Sequence, residues 1–306
     1  MEKITGLVAA PFTPMHKDGS LNTGLIGKYY ELLEKNGIVG VFINGTTGEG
    51  VSLSQKEKKL ITESWTTISK ERKSIRIINL VGGTSYQECI ENAVFSSEAG
   101  VNAIAVVAPY YFKPPDATML AEFCARIGEA VPEMPVYFYH IPVLTGVSIP
   151  MLYFLKEISG ILPNFAGIKY THEDFADYLS CLNFMNGTYD ILWGTDECIL
   201  PALALGAKGF VGSTYNYAAP LYHKLIMAFY NNNLEEARIL QQKSISMISL
   251  LGKYGGIATG KSFMKYIGMD CGKFRLPLKN MTDEMYNIFS SDVDRLNIEN
   301  LFSRYL

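Results

Sequence analysis

The sequence predicts a (β/α)8, or TIM, barrel with a C-terminal helical extension, on three observations. Eight short apolar runs recur at intervals of roughly twenty to thirty-five residues, and the stretches between them carry helical periodicity with start and stop signals. The runs are also continuously apolar and do not alternate. That pattern means burial on both faces, which parallel strands joined by crossover helices require. Eight such units fit a closed barrel better than an open doubly wound sheet, which is the runner-up.

Taken in order, the first run is Leu7 to Ala10. Behind it Leu25, Ile26, Tyr29, Leu32 and Leu33 share one helical face, closed by Gly37. Val39 to Ile43 leads through a glycine-rich turn to a helix near 55 to 70, and Ile75 to Val81 leads to one near 86 to 99. Ser54 with Glu57, and Ser85 with Glu88, have the capping-box spacing, in which hydroxyl and carboxylate each satisfy a free backbone donor. The remaining runs are Asn102 to Ala108, Pro135 to Tyr139, Phe165 to Lys169, Asp190 to Trp193 and Lys208 to Val211. After about residue 216 the pattern becomes helix upon helix, with Leu234, Ala237, Leu240, Ser244, Met247, Ile248 and Leu251 spaced by three or four. The expected organisation is a barrel over 1–230 carrying the active site and an extension over 231–306. No linker-like tract separates them, so the extension is expected to pack directly on the outer helices.

Composition narrows the class of function. A net charge of −3 without a basic stripe leaves no electrostatic footprint for nucleic acid or an anionic membrane, so the expected partner is a small molecule. The five cysteines (Cys89, Cys124, Cys181, Cys198, Cys271) are widely spread with no C-x-x-C pair, and read as reduced thiols. The N-terminus has no apolar signal core and no segment reaches the length of a membrane span, so the expected location is the cytoplasm.

In a barrel, side chains at the C-terminal ends of the strands converge on one mouth. Lys169 stands there, at the end of the sixth run, in Phe165-Ala166-Gly167-Ile168-Lys169-Tyr170-Thr171. A lysine inside an apolar strand is either satisfied, by snorkelling or by an acid such as Glu173 or Asp196, or chemically employed. Burial lowers its pKa and frees the amine to attack a carbonyl as a Schiff-base nucleophile. Tyr139, thirty residues earlier, is one repeat away and so on the neighbouring strand; a positive charge beside its phenol is expected to lower its pKa for proton transfer. His140 points the opposite way by strand alternation and reads as structural. Gly45-Thr46-Thr47-Gly48-Glu49-Gly50 places free backbone N–H groups at the mouth, a nest for a carboxylate or phosphate, with two hydroxyls beside it. The same loop also reads as a plain turn whose threonines satisfy their own backbone.

Two further patterns are weighed as decoys. Gly255-Gly256-Ile257-Ala258-Thr259-Gly260-Lys261-Ser262 has the full Walker A spacing, but it follows a helical segment and not an early strand. The four histidines (His16, His140, His172, His223) have no paired ligand spacing, so no metal site is expected.

Taken together, the residues resemble the N-acetylneuraminate lyase and dihydrodipicolinate synthase superfamily of class I aldolases. The resemblance spans nearly the whole chain: the G-T-T-G-E loop at 45–49, Pro109-Tyr110-Tyr111, Tyr139-His140-Ile141-Pro142, Gly167-Ile168-Lys169, Gly194-Thr195-Asp196-Glu197 and Gly212-Ser213-Thr214-Tyr215-Asn216, in family order. Leu144 occupies the place of an arginine in the dihydrodipicolinate synthase pattern. An apolar residue there, followed by the Gly194 and Gly212 runs, is similar to the sialic acid lyases. The resemblance implies reversible cleavage of open-chain N-acetylneuraminate to N-acetylmannosamine and pyruvate, through an imine on Lys169 and without a metal or organic cofactor. It further implies that the Thr46 and Thr47 N–H groups hold the carboxylate and that the Thr46 hydroxyl forms a relay with Tyr139. Tyr111 would enter from a neighbouring subunit of a homotetramer. Thr171, Gly194, Asp196, Glu197 and Ser213 would bind the hydroxyl chain, although Asp196 also reads as an N-cap of the next helix. The competing readings are a 2-keto-3-deoxy sugar acid aldolase, a dihydrodipicolinate synthase-like enzyme, a nucleotide-binding protein using 255–262 and a catalytically silent keto-acid sensor.

Overall fold

The structure is a computed structural model that describes residues 2–304. All eight apolar runs are strands: β1 (Gly6–Ala9), β2 (Gly40–Ile43), β3 (Arg76–Leu80), β4 (Ala103–Val107), β5 (Val136–His140), β6 (Phe165–Tyr170), β7 (Asp190–Trp193) and β8 (Gly209–Gly212). Each pairs in parallel with the next, and β8 pairs back onto β1, closing the barrel. The outer ring is α1 (Ile26–Lys35), α2 (Gln55–Arg72), α3 (Tyr86–Ala99), α4 (Ala117–Gly128), the short α5 (Pro142–Thr145), α6 (Met151–Ile161), α7 (Phe175–Asn183), α8 (Ile199–Ala204) and α9 (Tyr215–Tyr230). Three more helices follow: α10 (Leu234–Tyr254), α11 (Thr259–Tyr266) and α12 (Asp283–Asp294).

Strand alternation sorts the core into two layers. Val8, Phe42, Ile78, Ala105, Tyr137, Tyr139, Leu192 and Val211 fill the barrel, while Ile43, Ile77, Ile104, Phe138, Ile168, Tyr170 and Trp193 face the helices. The N-terminal end is plugged by Asp190, whose Oδ2 accepts from the Tyr137 hydroxyl at 2.8 Å and the Ile4 N–H at 3.0 Å. Chemistry is therefore confined to the C-terminal mouth. On the outside, α1 buries Ile26, Tyr29, Leu32 and Leu33, each contributing roughly 1.5–3 kcal/mol.

Two sequence expectations are corrected. Ser54 and Glu57 form a complete capping box, but at Ser85 only half of one forms. Glu88 Oε2 accepts instead from Gln55 Nε2 at 2.7 Å, a partner thirty-three residues away. On α10, Gln241 and Leu250 are buried where Ile248 and Leu251 are only partly so, because the helix turns its inner face toward the β7–α8 loop. There Gln241 Oε1 accepts from Leu200 N at 2.9 Å, and Ser244 bonds the Tyr222 hydroxyl at 2.9 Å. The Walker-like run follows a helix, as its context in the sequence leads us to expect. Gly255 caps α10 in the left-handed region, Gly256–Ala258 is a 3-10 turn, and no strand precedes it. The five cysteines are free thiols, four of them buried. Among the described residues no helix is long and apolar enough to cross a membrane.

Candidate active site

Lys169 ends the inward-facing row of β6, and its register partner across β5 is Tyr139. Only 5% of the lysine is exposed. Its Nζ lies 3.9 Å from the centroid of the Tyr139 ring and 4.2 Å from that of Phe42, which itself meets Tyr139 edge-on at 5.4 Å. Among the described residues Lys169 makes no ion pair, so neither Glu173 nor Asp196 neutralises it. Removal from water pushes its pKa down to about 7, against a smaller upward pull from Asp196. At neutral pH about half of these amines carry a free lone pair, against about one in a few thousand for a solvated lysine.

The Tyr139 pKa moves opposite to the expected direction. Burial raises it to about 12, with the Thr46 and Thr171 hydroxyls opposing the rise. The expectation weighed a charged neighbour above burial; here desolvation is the larger effect, and the nearby Asp196 carboxylate adds to the rise. Tyr139 is thus a protonated phenol in the resting site. Thr46 Oγ1 lies 3.4 Å from its hydroxyl, with either atom able to donate. His140 faces outward among Phe138, Tyr170 and His172, and burial first, then His172, lowers its pKa to about 3.

Thr46 and Thr47 sit at the apex of the β2–α2 loop. The loop is closed by Glu49 N donating to Thr46 O at 3.1 Å and Gly50 N to Gly45 O at 3.0 Å, and Thr13 Oγ1 ties down Gly48 O at 2.6 Å. The Thr46 and Thr47 N–H groups meet no acceptor among the described residues, which leaves two donors for an anion.

The loops after β6, β7 and β8 bring the other predicted residues together. Thr171 N donates to His140 O and Gly194 N to Tyr170 O, both at 2.8 Å, extending the β5–β6–β7 ladder beyond the strands. The Thr171 hydroxyl is buried without a hydrogen bond of ordinary length. Gly194 is needed beside it, since a Cβ there would lie 2.0 Å from Thr171 Oγ1. Asp196 is buried in the 3-10 turn after β7, and it does not cap the following helix. Its Oδ2 accepts from Thr214 N at 3.0 Å and Thr214 Oγ1 at 2.6 Å, while Oδ1 is buried and unpartnered. Desolvation raises its pKa, opposed by the Thr214 hydrogen bonds. Glu197 is half-buried, and desolvation raises its carboxyl too. Ser213 is half-buried and its carbonyl accepts from Asn216 Nδ2 at 2.7 Å.

Tyr111 is the one predicted catalytic residue that the single chain leaves apart. It lies 77% exposed on the β4–α4 loop, against Phe112 at 85%, and is therefore not packed into the cluster around Lys169. Sequence reasoning missed the partners of Glu49, which belongs to no reacting cluster: Lys261 Nζ, from the Walker-like run, bonds its Oε1 at 2.8 Å. That buried pairing removes Lys261 from any phosphate. Among the described residues no His, Cys, Asp and Glu group has the form of a metal site. Surface cavities of about 680 Å³ beside Lys265 and Tyr286, and 700 Å³ beside Pro115 and Tyr153, include none of the residues around Lys169. Perturbed ionisation marks the site.

Comparison with known proteins agrees with this geometry. The Dihydrodipicolinate synthetase family profile matches residues 3–296. The chain is 37% identical to the N-acetylneuraminate lyase of Rattus norvegicus over 287 residues, covering 92% of this chain and 89% of that protein, and 37% identical to that of Homo sapiens over 289 residues with the same coverage. The N-acetylneuraminate lyase of Proteus mirabilis superposes with a TM-score of 0.94 at 36% identity, covering 97% and 99% of the two chains. The dihydrodipicolinate synthase of Aquifex aeolicus gives 0.87 at 26%, covering 96% and 98%. A closed parallel barrel, an unpaired lysine in register with a tyrosine and a match over nearly the full length lead to one conclusion: the chain belongs to the dihydrodipicolinate synthetase family.

Proposed function

We propose that the chain is a class I lyase that cleaves N-acetylneuraminate reversibly to N-acetylmannosamine and pyruvate. The observation that carries this reading is the buried, unpaired Lys169 in register with Tyr139. The neutral amine attacks the C2 carbonyl carbon, and loss of water leaves a protonated imine on Nζ. That cation draws the electrons of the C3–C4 bond as the bond breaks. Beside that cation the Tyr139 phenol releases its proton through the Thr46 hydroxyl to solvent, and the phenolate takes the C4 hydroxyl proton as the bond breaks. Imine formation places a positive charge over the Tyr139 ring, which lowers the phenol's pKa only once substrate is bound. The resulting enamine takes a proton at C3, and hydrolysis releases pyruvate. The imine itself is the electron sink, so the reaction calls on no metal and no organic cofactor.

The Thr46 and Thr47 N–H groups receive the carboxylate, and Thr171, Gly194, Asp196, Glu197 and Ser213 receive the hydroxyl chain. The Thr171 hydroxyl supports that assignment, because it is buried beside Tyr139 at the barrel mouth with no hydrogen bond of ordinary length within the protein. Tyr111 completes the site from a neighbouring subunit of a homotetramer. Its exposure, with that of Phe112, Val143 and Leu144, supports burial against another copy. The free cysteines suit a reducing cytoplasm.

The test is turnover of N-acetylneuraminate followed by product identification. Equimolar N-acetylmannosamine and pyruvate is the expected outcome. Cleavage of 2-keto-3-deoxy sugar acids with no action on N-acetylneuraminate would move the chain to another aldolase of the family, and imine formation without turnover of either would make it a keto-acid sensor.

A further inference from the structure

The loop that carries Thr46 and Thr47 is anchored from the far end of the chain. Glu49 sits in it at φ 59, a left-handed conformation that a residue with a Cβ adopts at a cost unless it is held. Two donors from the C-terminal segment hold its carboxylate: Lys261 Nζ on Oε1 at 2.8 Å and Arg275 N on Oε2 at 2.9 Å. Lys261 also donates to Lys273 O at 3.1 Å and lies 4.6 Å from the Phe274 ring centroid. Each side chain of the Glu49–Lys261 pair is 2% exposed. Gly260 lets α11 come this close, since a Cβ there would lie 2.3 Å from the Phe12 ring. Arg275 then reaches past the loop to Glu57, the capping acid of α2, at 3.0 Å from Nη1. Residues 261–275 therefore hold the loop at Glu49 and the first turn of the helix that follows it at Glu57.

We propose that Glu49 and Lys261 are positioning residues that aim the Thr46 and Thr47 N–H groups at the carboxylate of a 2-keto acid. The inference rests on the Schiff-base reading above. Hydrogen-bond strength falls steeply as a donor turns away from its acceptor, so a loop that rocks by a few tens of degrees loses its anion. The turn's own two hydrogen bonds join Glu49 to Thr46 and Gly50 to Gly45, so the direction of the apex follows the anchoring of Glu49. An apolar contact would tolerate rocking. A buried ion pair, with its remaining donors and acceptors satisfied, fixes one arrangement, and removing one partner leaves the other charge uncompensated. The lysine of the Walker-like run thus acts at the mouth of the barrel through Glu49.

The full-length chain is compared with Lys261→Met, Glu49→Gln and the double variant. The measurements are the pyruvate concentration that half-saturates borohydride trapping on Lys169, the adduct formed at saturation, its pH midpoint and the melting temperature. Each single variant is expected to raise the half-saturating concentration roughly tenfold or more, the loss of an aligned hydrogen bond to a charged group. The saturated adduct and pH midpoint should stay as in the unsubstituted chain. The double variant buries no lone charge and should recover the melting temperature while keeping the raised half-saturation, which separates aiming from stability; it also decides the matter if the single variants do not fold. Half-saturation within about twofold of the unsubstituted chain in the double variant overturns the inference. Absence of any Lys169 adduct in the unsubstituted chain would overturn the proposed function instead, and this inference with it.

Discussion

Tyr139 and Lys169 are register partners on adjacent parallel strands, with the lysine nitrogen 3.9 Å from the centre of the tyrosine ring. Burial in a barrel lined by Phe42 and Leu192 acts on both groups in the same sense, favouring the uncharged form of each. The amine falls to about 7 and the phenol rises to about 12. At neutral pH the site therefore holds a nucleophile with a free lone pair beside a phenol that still carries its proton.

The rate of imine formation should follow the ionisation of Lys169. Its acid limb is expected at a midpoint near pH 7, rising as the ammonium loses its proton. A pH profile of pyruvate trapping at subsaturating ligand measures this directly. A midpoint at 9 or above would mean that the lysine is solvated or paired.

Lys169→Met should abolish the adduct and stabilise the fold. The unfolded lysine ionises near 10.5 and the folded one near 7, so between these values the unfolded chain binds a proton that the folded chain refuses. Stability consequently falls by about 1.4 kcal/mol per unit as pH drops from 10.5 toward 7, and the penalty is complete below 7. The variant lacks this penalty and is expected to exceed the parent by roughly 3–5 kcal/mol at pH 7, with the gap closing toward pH 10.5. Denaturant midpoints at the two pH values check it; a variant less stable than the parent at pH 7 would mark Lys169 as structural.

Tyr139→Phe retains the ring over the amine and removes the hydroxyl that meets Thr46. Pyruvate trapping should persist, while turnover falls roughly 10²–10⁴-fold, the usual contribution of a positioned proton-transfer group. Equal loss in both assays would place the phenol in imine formation instead.

Thr171→Val should separate stability from function. The wild-type hydroxyl lies beside the Tyr139 phenol without a hydrogen bond of ordinary length, so replacing it by a methyl is expected to leave stability within about 1 kcal/mol. The substrate hydroxyl chain loses a partner, so KM should rise roughly tenfold with little change in pyruvate trapping. A destabilised variant with an unchanged KM would contradict the assignment.

The barrel was legible in the sequence because its signal is local. Strands such as β2 and β4 are continuous apolar runs bounded by turns, and the Ser54–Glu57 box opens α2 where the spacing places it. The strand-end rule likewise pointed Lys169, Tyr139 and Thr46 to one mouth, while Thr171 came from the resemblance alone. Long-range partners were not legible. Glu88 has the spacing of a capping acid but is drawn off by Gln55, and Glu49 finds Lys261 more than two hundred residues away. The direction of the Tyr139 shift was missed for a related reason. It depends on how deeply the phenol is buried, and that depends on packing with partners distant in sequence such as Phe42.

The most direct test of the account is borohydride reduction of the full-length chain in the presence of pyruvate, followed by peptide mass mapping. A pyruvyl adduct on Lys169 alone, absent without pyruvate and absent in Lys169→Met, is the predicted result. An adduct on any other lysine, or none at all at pH 8 where the amine is mostly neutral, would contradict it.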